Sequence, residues 1–166
     1  MRRFLIRFVF LLTALFGLSL APFVYTHVVL PWTEAVAALG TAAAGLLDPD
    51  VMAAGKRIIS RETGFSVSIE PGCNGLEPML LLAAAMLAYP AAWRHRLIGF
   101  LSGVGFIQAA NLARILTLYY LGQWSPLLFE WAHLYVWPAL IVLDAVVVFL
   151  VWLRLTPPRH GPHAAG

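Results

Sequence analysis

Residues 78–96 read PMLLLAAAMLAYPAAWRHR, and whether this stretch crosses a membrane decides how the whole chain is threaded. Its apolar part, Pro78–Trp93, has 16 residues, where a spanning helix needs about 20. Pro90 loosens its last turn. Three other runs reach spanning length: Phe4–Leu30, Leu97–Leu121 and Leu134–Leu155. Charge settles the status of the short one. Arg2, Arg3 and Arg7 precede the first run, Arg94 and Arg96 join the second to the third, and Arg154 and Arg159 follow the fourth. If Pro78–Trp93 crosses, all seven of these eleven basic residues fall on one face, as the positive-inside bias requires. The other face then receives Lys56, Arg57 and Arg61, together with seven of the eight acids on it or at its rim. The eighth acid, Asp144, lies in the fourth run, where a buried carboxylate needs a polar partner. Trp32, Trp124, Trp131 and Trp137 are expected to form the outer aromatic belt, and Trp93 and Trp152 the inner one.

Composition agrees with that threading. Of 166 residues, 61% are hydrophobic and 11% charged, against roughly 45–50% and about 25% in soluble domains. Too few polar residues exist to cover a water-soluble globule, and disorder is excluded by the same arithmetic. The fold expected is an all-α polytopic membrane protein of about four transmembrane helices, with an interfacial helix and a small outer hairpin. Basic residues flank apolar runs instead of forming a patch, so the pI near 9.4 points to membrane lipid and not to nucleic acid. The single cysteine excludes a disulfide framework and any multi-thiolate metal site. No cluster has metal-ligand spacing, no glycine loop suits a phosphate, and Gly-x-Ser-x-Gly does not occur, so no cofactor or metal is expected.

The chain divides into an N-terminal anchor (1–30), an outer-face helix and hairpin segment (31–70), a three-helix catalytic membrane core (71–155) and a cytoplasmic tail (156–166). The first run also has the basic start and the Ser19-Leu20-Ala21 of a secretory signal. Apolar character continuing to Leu30, and Pro22 directly after the small residues, favour a retained anchor. In the outer segment Thr33–Leu47 is an Ala-rich helix near the interface, stopped by Asp48-Pro49-Asp50. Lys56–Ser60 and Phe65–Ile69 then flank Glu62-Thr63-Gly64 as a hairpin, the second strand alternating apolar residues with Ser66 and Ser68.

Three polar side chains fall at one depth. Cys73 sits in Glu70-Pro71-Gly72-Cys73-Asn74-Gly75-Leu76-Glu77, a glycine-rich turn feeding a helix. Free cysteines are usually small buried hydrophobes, but this one lies outside any apolar run. At a helix N-terminus the dipole favours thiolate. Arg114 lies in an apolar helix, where a charge costs about 2.5–3.5 kcal/mol and so carries a partner or a function. Gln108, Asn111 and Arg114 recur every third position and make a polar stripe facing the bundle; the alternative is an arginine snorkelling to the outer headgroups. His133, taken singly, reads as a belt residue beside the tryptophans. Threading changes this, since Cys73 and His133 each open a descending helix and Arg114 nears the top of the ascending one between them. Thiol, imidazole and guanidinium then meet at the outer boundary. That set suits acyl transfer, with a thiol nucleophile, an imidazole acid/base and a cation on the developing oxyanion. Glu77 can orient His133, pair with Arg114 or cap its own helix, with capping favoured, and Glu70 can do the same from the loop. His27 and His95 read as interfacial, and Gly99 with Gly103 as a helix-packing pair.

The Cys73 turn before a helix, Asn111-x-x-Arg114 in the next helix and His133 opening the last one resemble the exosortase/archaeosortase family over about residues 64–155. The chain is similar to its compact, exosortase H type, since longer members have about twice as many spans. The resemblance implies a membrane cysteine transpeptidase or protease, with Cys73 as nucleophile, Arg114 as transition-state stabiliser and His133 as acid/base. Its substrates would be exported proteins ending in a short motif, a transmembrane helix and a basic cluster. The implied location is a bacterial inner membrane, with the site facing the periplasm. Many members carry serine after the cysteine, where this chain has Asn74, which leaves the substrate motif open. The contrasting reading is a non-enzymatic assembly or transporter subunit, in which Arg114 pairs with an acid and Cys73 is incidental.

Overall fold

A computed structural model describes residues 1–156; the tail from 157 onward, Arg159 included, lies outside the described residues. Three helical stretches are long and apolar enough to cross a membrane: α1 (Arg2–Leu20), α5 (Trp93–Trp124) and the run Pro126–Leu155. The last comprises α6 (Pro126–Trp131), a π turn (Ala132–Val136) and α7 (Trp137–Leu155). The stretch that decides the threading forms α4 (Leu76–Ala88), a helix of 13 residues. At 1.5 Å per residue it rises only about 20 Å, less than a full span. Tyr89 leaves the helix in an extended conformation because Pro90 follows and disfavours αR before it.

Short as it is, α4 reverses the chain as charge parity requires. Its end meets the start of α5 and the end of α7: the Tyr89 ring packs edge-on against Trp152 at 5.8 Å, and Trp152 Nε1 donates to the His95 carbonyl at 3.2 Å. The start of α1 joins them through Phe4 and Phe149, whose rings stack at 6.4 Å. One end of the bundle therefore collects Arg2, Arg3, Arg7, Arg94, Arg96 and Arg154. The core here is Leu82, Met86, Ala91, Ile107, Ala145 and Trp152. Gly99 and Gly103 admit it: an added Cβ would come within 2.1 Å of the Trp152 ring and 2.6 Å of Leu82, respectively. Trp152 is thus a buried core residue and not part of a belt, because its ring fills the notch left by Gly99. Asp144 has no hydrogen-bond or ion-pair partner among the described residues and remains half-buried, contrary to the expected internal partner.

The run Phe4–Leu30 is not one helix. It breaks at Ala21, extended ahead of Pro22, and resumes as α2 (Pro22–Val24), a π turn (Tyr25–Val29) and α3 (Leu30–Ala44). Each π turn is followed two residues later by a proline, Pro31 or Pro138. Proline cannot donate to the carbonyl four residues back and its ring crowds that oxygen, so a widened turn accommodates it.

Beyond α3 the chain forms a three-stranded antiparallel sheet in the order β1 (Val51–Ala54), β2 (Arg57–Ser60), β3 (Ser66–Ser68). The hairpin of β2 and β3 matches the sequence reading, and β1 is an addition to it. The two-residue loop Gly55-Lys56 joins β1 to β2, with Gly55 at φ +57° as a tight hairpin requires. The sheet lies on α3 and α5 through a second core of Val36, Ala37, Ile58, Ile69, Ile115 and Tyr119. This core opens onto the turn that carries Cys73.

Candidate active site

The turn 70–76 is fastened from several directions. Cys73 N–H donates to the Glu70 carbonyl at 2.8 Å, and Gly72 N–H to Glu77 Oε1 at 2.6 Å. Glu77 therefore ties down the turn ahead of its helix, while the helix start at Gly75 has no side-chain cap. Asn74 is fully buried. Its Oδ1 accepts from Leu76 N–H at 3.0 Å, and its Nδ2 donates to Thr33 Oγ1 at 2.9 Å. Its carbonyl accepts from Trp32 Nε1 at 3.1 Å and from Gln108 Nε2 at 3.4 Å. Asn74 is thus an anchor that fixes the residue before it. Trp32, expected in a belt, is turned inward to the turn. Gly75 is required by its φ of +74°, and an added Cβ there would also push the Gln108 amide, 2.4 Å away, off the turn.

The stripe on α5 faces this turn along its length. Gln108 reaches Asn74, Asn111 is buried with neither amide atom partnered, and Arg114, 3% exposed, reaches the cysteine. Arg114 Nη1 donates to the Gly72 carbonyl at 2.8 Å, while Nη2 lies 3.2 Å from Cys73 Sγ. It does not snorkel outward, and it pairs with neither Glu77 nor Asp144: the ion pair among the described residues is Lys56–Glu70, at 2.5 Å. Glu70 accepts from Lys56 and from Ser68 Oγ (2.8 Å), and both bonds hold its carboxyl below the usual range. Its side chain is thereby committed to the sheet, not to the helix start.

His133 occupies the π turn Ala132–Val136. Its ring lies flat on Phe129 (5.6 Å, 7°), and its Nδ1 is buried without a partner. Among the described residues no carboxylate orients it: Glu77 Oε1 accepts from Gly72 N–H, and its Oε2 is buried without a partner there. Cys73, Arg114 and His133 line one cavity of about 330 Å³. Its remaining walls are residues 65–71, running from β3 into the Cys73 turn, and the apolar Ile115, Leu118 and Phe129. The sequence reading named neither Phe129 nor the strand wall, nor the Trp32–Thr33 clasp on Asn74. Nothing local marks them, since each works through contacts that only the folded chain creates.

One expectation is reversed. Burial pushes the Cys73 thiol above its ordinary value, outweighing the opposing pull of Arg114, and Glu77 and Glu70 add to the rise. The balance of these effects favours the protonated sulfur. A nucleophilic role then requires a base that takes the proton as attack occurs, and an imidazole in the same cavity is chemically suited to that.

A family model described as transmembrane exosortase (Exosortase_EpsH) matches residues 1–153. No curated protein and no solved structure matches the chain.

Proposed function

The chain belongs to the transmembrane exosortase family, and from that premise we propose that it is a cysteine transpeptidase or protease that cleaves C-terminal sorting signals of exported proteins at the outer membrane–water boundary. One observation carries the residue assignment: Arg114 Nη2 stands 3.2 Å from Cys73 Sγ in a cavity that His133 also lines. Cys73 attacks the scissile carbonyl, and His133 takes the thiol proton as the S–C bond forms. The carbonyl oxygen gains the negative charge, and Arg114, held by the Gly72 carbonyl, stabilises it in a water-poor site. The C–N bond then breaks, His133 returns the proton to the leaving amine, and the thioester passes to water or to an acceptor amine. Asn74 and Glu77 fix the turn, and Asn111 is buried three residues before Arg114 on the same helix.

The protein is a multi-pass membrane protein. The positive-inside bias puts its basic end in the cytoplasm and the Cys73 end in the periplasm of a bacterial inner membrane. In this reading 1–30 anchors, 31–70 caps the site, 71–155 is the catalytic core and the tail is cytoplasmic. Its substrates are exported proteins ending in a motif, a membrane helix and a basic tail. A purely structural subunit would pair Arg114 with a carboxylate, whereas its contacts are a carbonyl and a sulfur. Cys73→Ala should abolish cleavage of a co-expressed substrate while the protein stays in the membrane. Undiminished cleavage by that variant overturns the proposal.

A further inference from the structure

Seven consecutive residues, 65–71, border the cavity that holds Cys73, Arg114 and His133. Side chains alternate across a strand, so a cavity lying over one face of β3 would meet every second residue. This one meets Phe65 and Val67 as well as Ser66 and Ser68, which places it along the edge of the strand. β3 is the last strand of the sheet, with nothing paired beyond it among the described residues. Its backbone polarity follows from the ladder. The Phe65 carbonyl accepts from Ser60 N–H at 2.9 Å, Ile69 N–H donates to the Lys56 carbonyl at 2.9 Å, and Val67 stands opposite Ile58 between them. In an antiparallel ladder the residues bonded to one neighbour alternate with those whose amides turn the other way. Ser66 and Ser68 therefore turn N–H and C=O away from β2, toward the cavity edge. The far wall, Ile115, Leu118 and Phe129, is apolar and offers such groups nothing.

We propose that the open edge of β3, Ser66–Ser68, is the docking strand for the polypeptide substrate, which adds there as a further extended strand and so brings its scissile carbonyl to Cys73. The inference rests on the peptidase reading above and names how that site takes its substrate. A peptide bond inside a helix has its carbonyl hydrogen-bonded and sheltered by the turns around it, so a thiol reaches it only after the segment is extended. An extended segment leaving the membrane interface needs partners for its N–H and C=O groups, and a free strand edge supplies them. Position favours this edge in particular. β3 leads through Ile69 into the turn that carries Cys73, so a strand paired along Ser66–Ser68 runs toward that turn at about 3.3 Å per residue. The Lys56–Glu70 pair and the Ser68–Glu70 hydrogen bond hold the strand's last residues in line.

Proline on an edge strand with its missing N–H turned outward keeps the sheet and removes one docking bond. Ser66→Pro and Ser68→Pro should each lower kcat/KM for a reporter that the wild-type chain cleaves by roughly three- to tenfold, carried by KM. Ala53→Pro, the same insult on the opposite edge strand, should leave cleavage unchanged. Equal effects on the two edges, or none at β3, overturn the docking strand. Because folding of a proline variant is itself at risk, a second measurement uses the chain's single cysteine. In a Cys73→Ala background, Ser68→Cys is paired with cysteines at consecutive positions of the reporter. Disulfide yields should alternate with a period of two, and yields that are flat or nil overturn the pairing. A wild-type chain that cleaves no reporter defeats the peptidase reading instead, so the two failures are distinct.

Discussion

Two arginines of α5 hold the two ends of α4, and the contrast between them separates structure from chemistry. Arg96 Nη2 donates to the carbonyl of Tyr89, the residue that ends α4, at 2.7 Å. Arg114 Nη1 donates to the carbonyl of Gly72, just ahead of α4, at 2.8 Å. Each leaves a buried Nε without a partner. A cation at a helix C-terminus is favoured by about 0.3–1 kcal/mol, and the same field opposes one at the N-terminus. Arg96 therefore sits where an arginine pays its way by position alone. Arg114 sits where the field calls for an anion, and its second nitrogen faces a sulfur. Its placement makes sense through an anion that forms transiently beside it, which the proposed reaction supplies twice, as the oxyanion of thioester formation and that of thioester resolution.

The sharpest way to break this comparison is to remove each guanidinium in turn. Arg114→Ala should lower kcat by about 10²–10³, the usual cost of losing one oxyanion donor, with folded protein retained. Arg96→Ala should lower the yield of folded protein and leave turnover per folded molecule within about a factor of two. Equal losses of turnover in both variants would show that the two contacts do the same job.

Glycine contrasts come next in size. A Cβ at Gly99 would lie 2.1 Å from the Trp152 ring, so Gly99→Ala should cost about 1–3 kcal/mol of stability, as overpacking does, and leave turnover per folded molecule unchanged. Gly75→Ala meets Gln108 at 2.4 Å and also strains a backbone at φ +74°. Because that residue closes the Cys73 turn, stability and turnover should fall together. Thermal unfolding in detergent, read beside cleavage rate, separates the two variants.

These contrasts also show what a sequence can and cannot carry. The basic clusters gave the threading, including the reversal at a helix too short to announce itself. The three-residue recurrence of Gln108, Asn111 and Arg114 gave the inward face of α5, and the spacing of Gly99 and Gly103 its close packing. All of these are periodic or cumulative signals, written into neighbouring positions. β1 was hidden because Val51-Met52-Ala53-Ala54 has weak strand character, and its pairing with β2 decides it. The clasp of Trp32 and Thr33 on Asn74 joins residues 42 and 41 positions apart, and no local pattern encodes it. The inward turn of Trp152 depends likewise on a notch in another helix. The direction of the Cys73 shift departs from the sequence expectation for a related reason. A helix N-terminus is visible in sequence, whereas the burial that outweighs it exists only after the sheet and α5 close over the turn.

That last point yields the subtlest measurement. With one cysteine in the chain, alkylation in a gentle detergent reports a single sulfur. Burial raises the thiol's pKa, so the thiolate fraction at neutral pH is small and the alkylation rate should keep climbing into the alkaline range. A plateau near neutrality would mean that the thiolate is already stable and that no base is needed. The neighbours then move the curve in opposite senses. Arg114 lowers the pKa, so Arg114→Gln should carry the profile to higher pH. Glu77 raises it, so Glu77→Gln should carry the profile to lower pH, and the amide oxygen that remains can still accept from Gly72 N–H. Two shifts of opposite sign on one sulfur would establish that the cation and the carboxylate act on it electrostatically. Shifts of the same sign would mean that both substitutions merely loosen the turn.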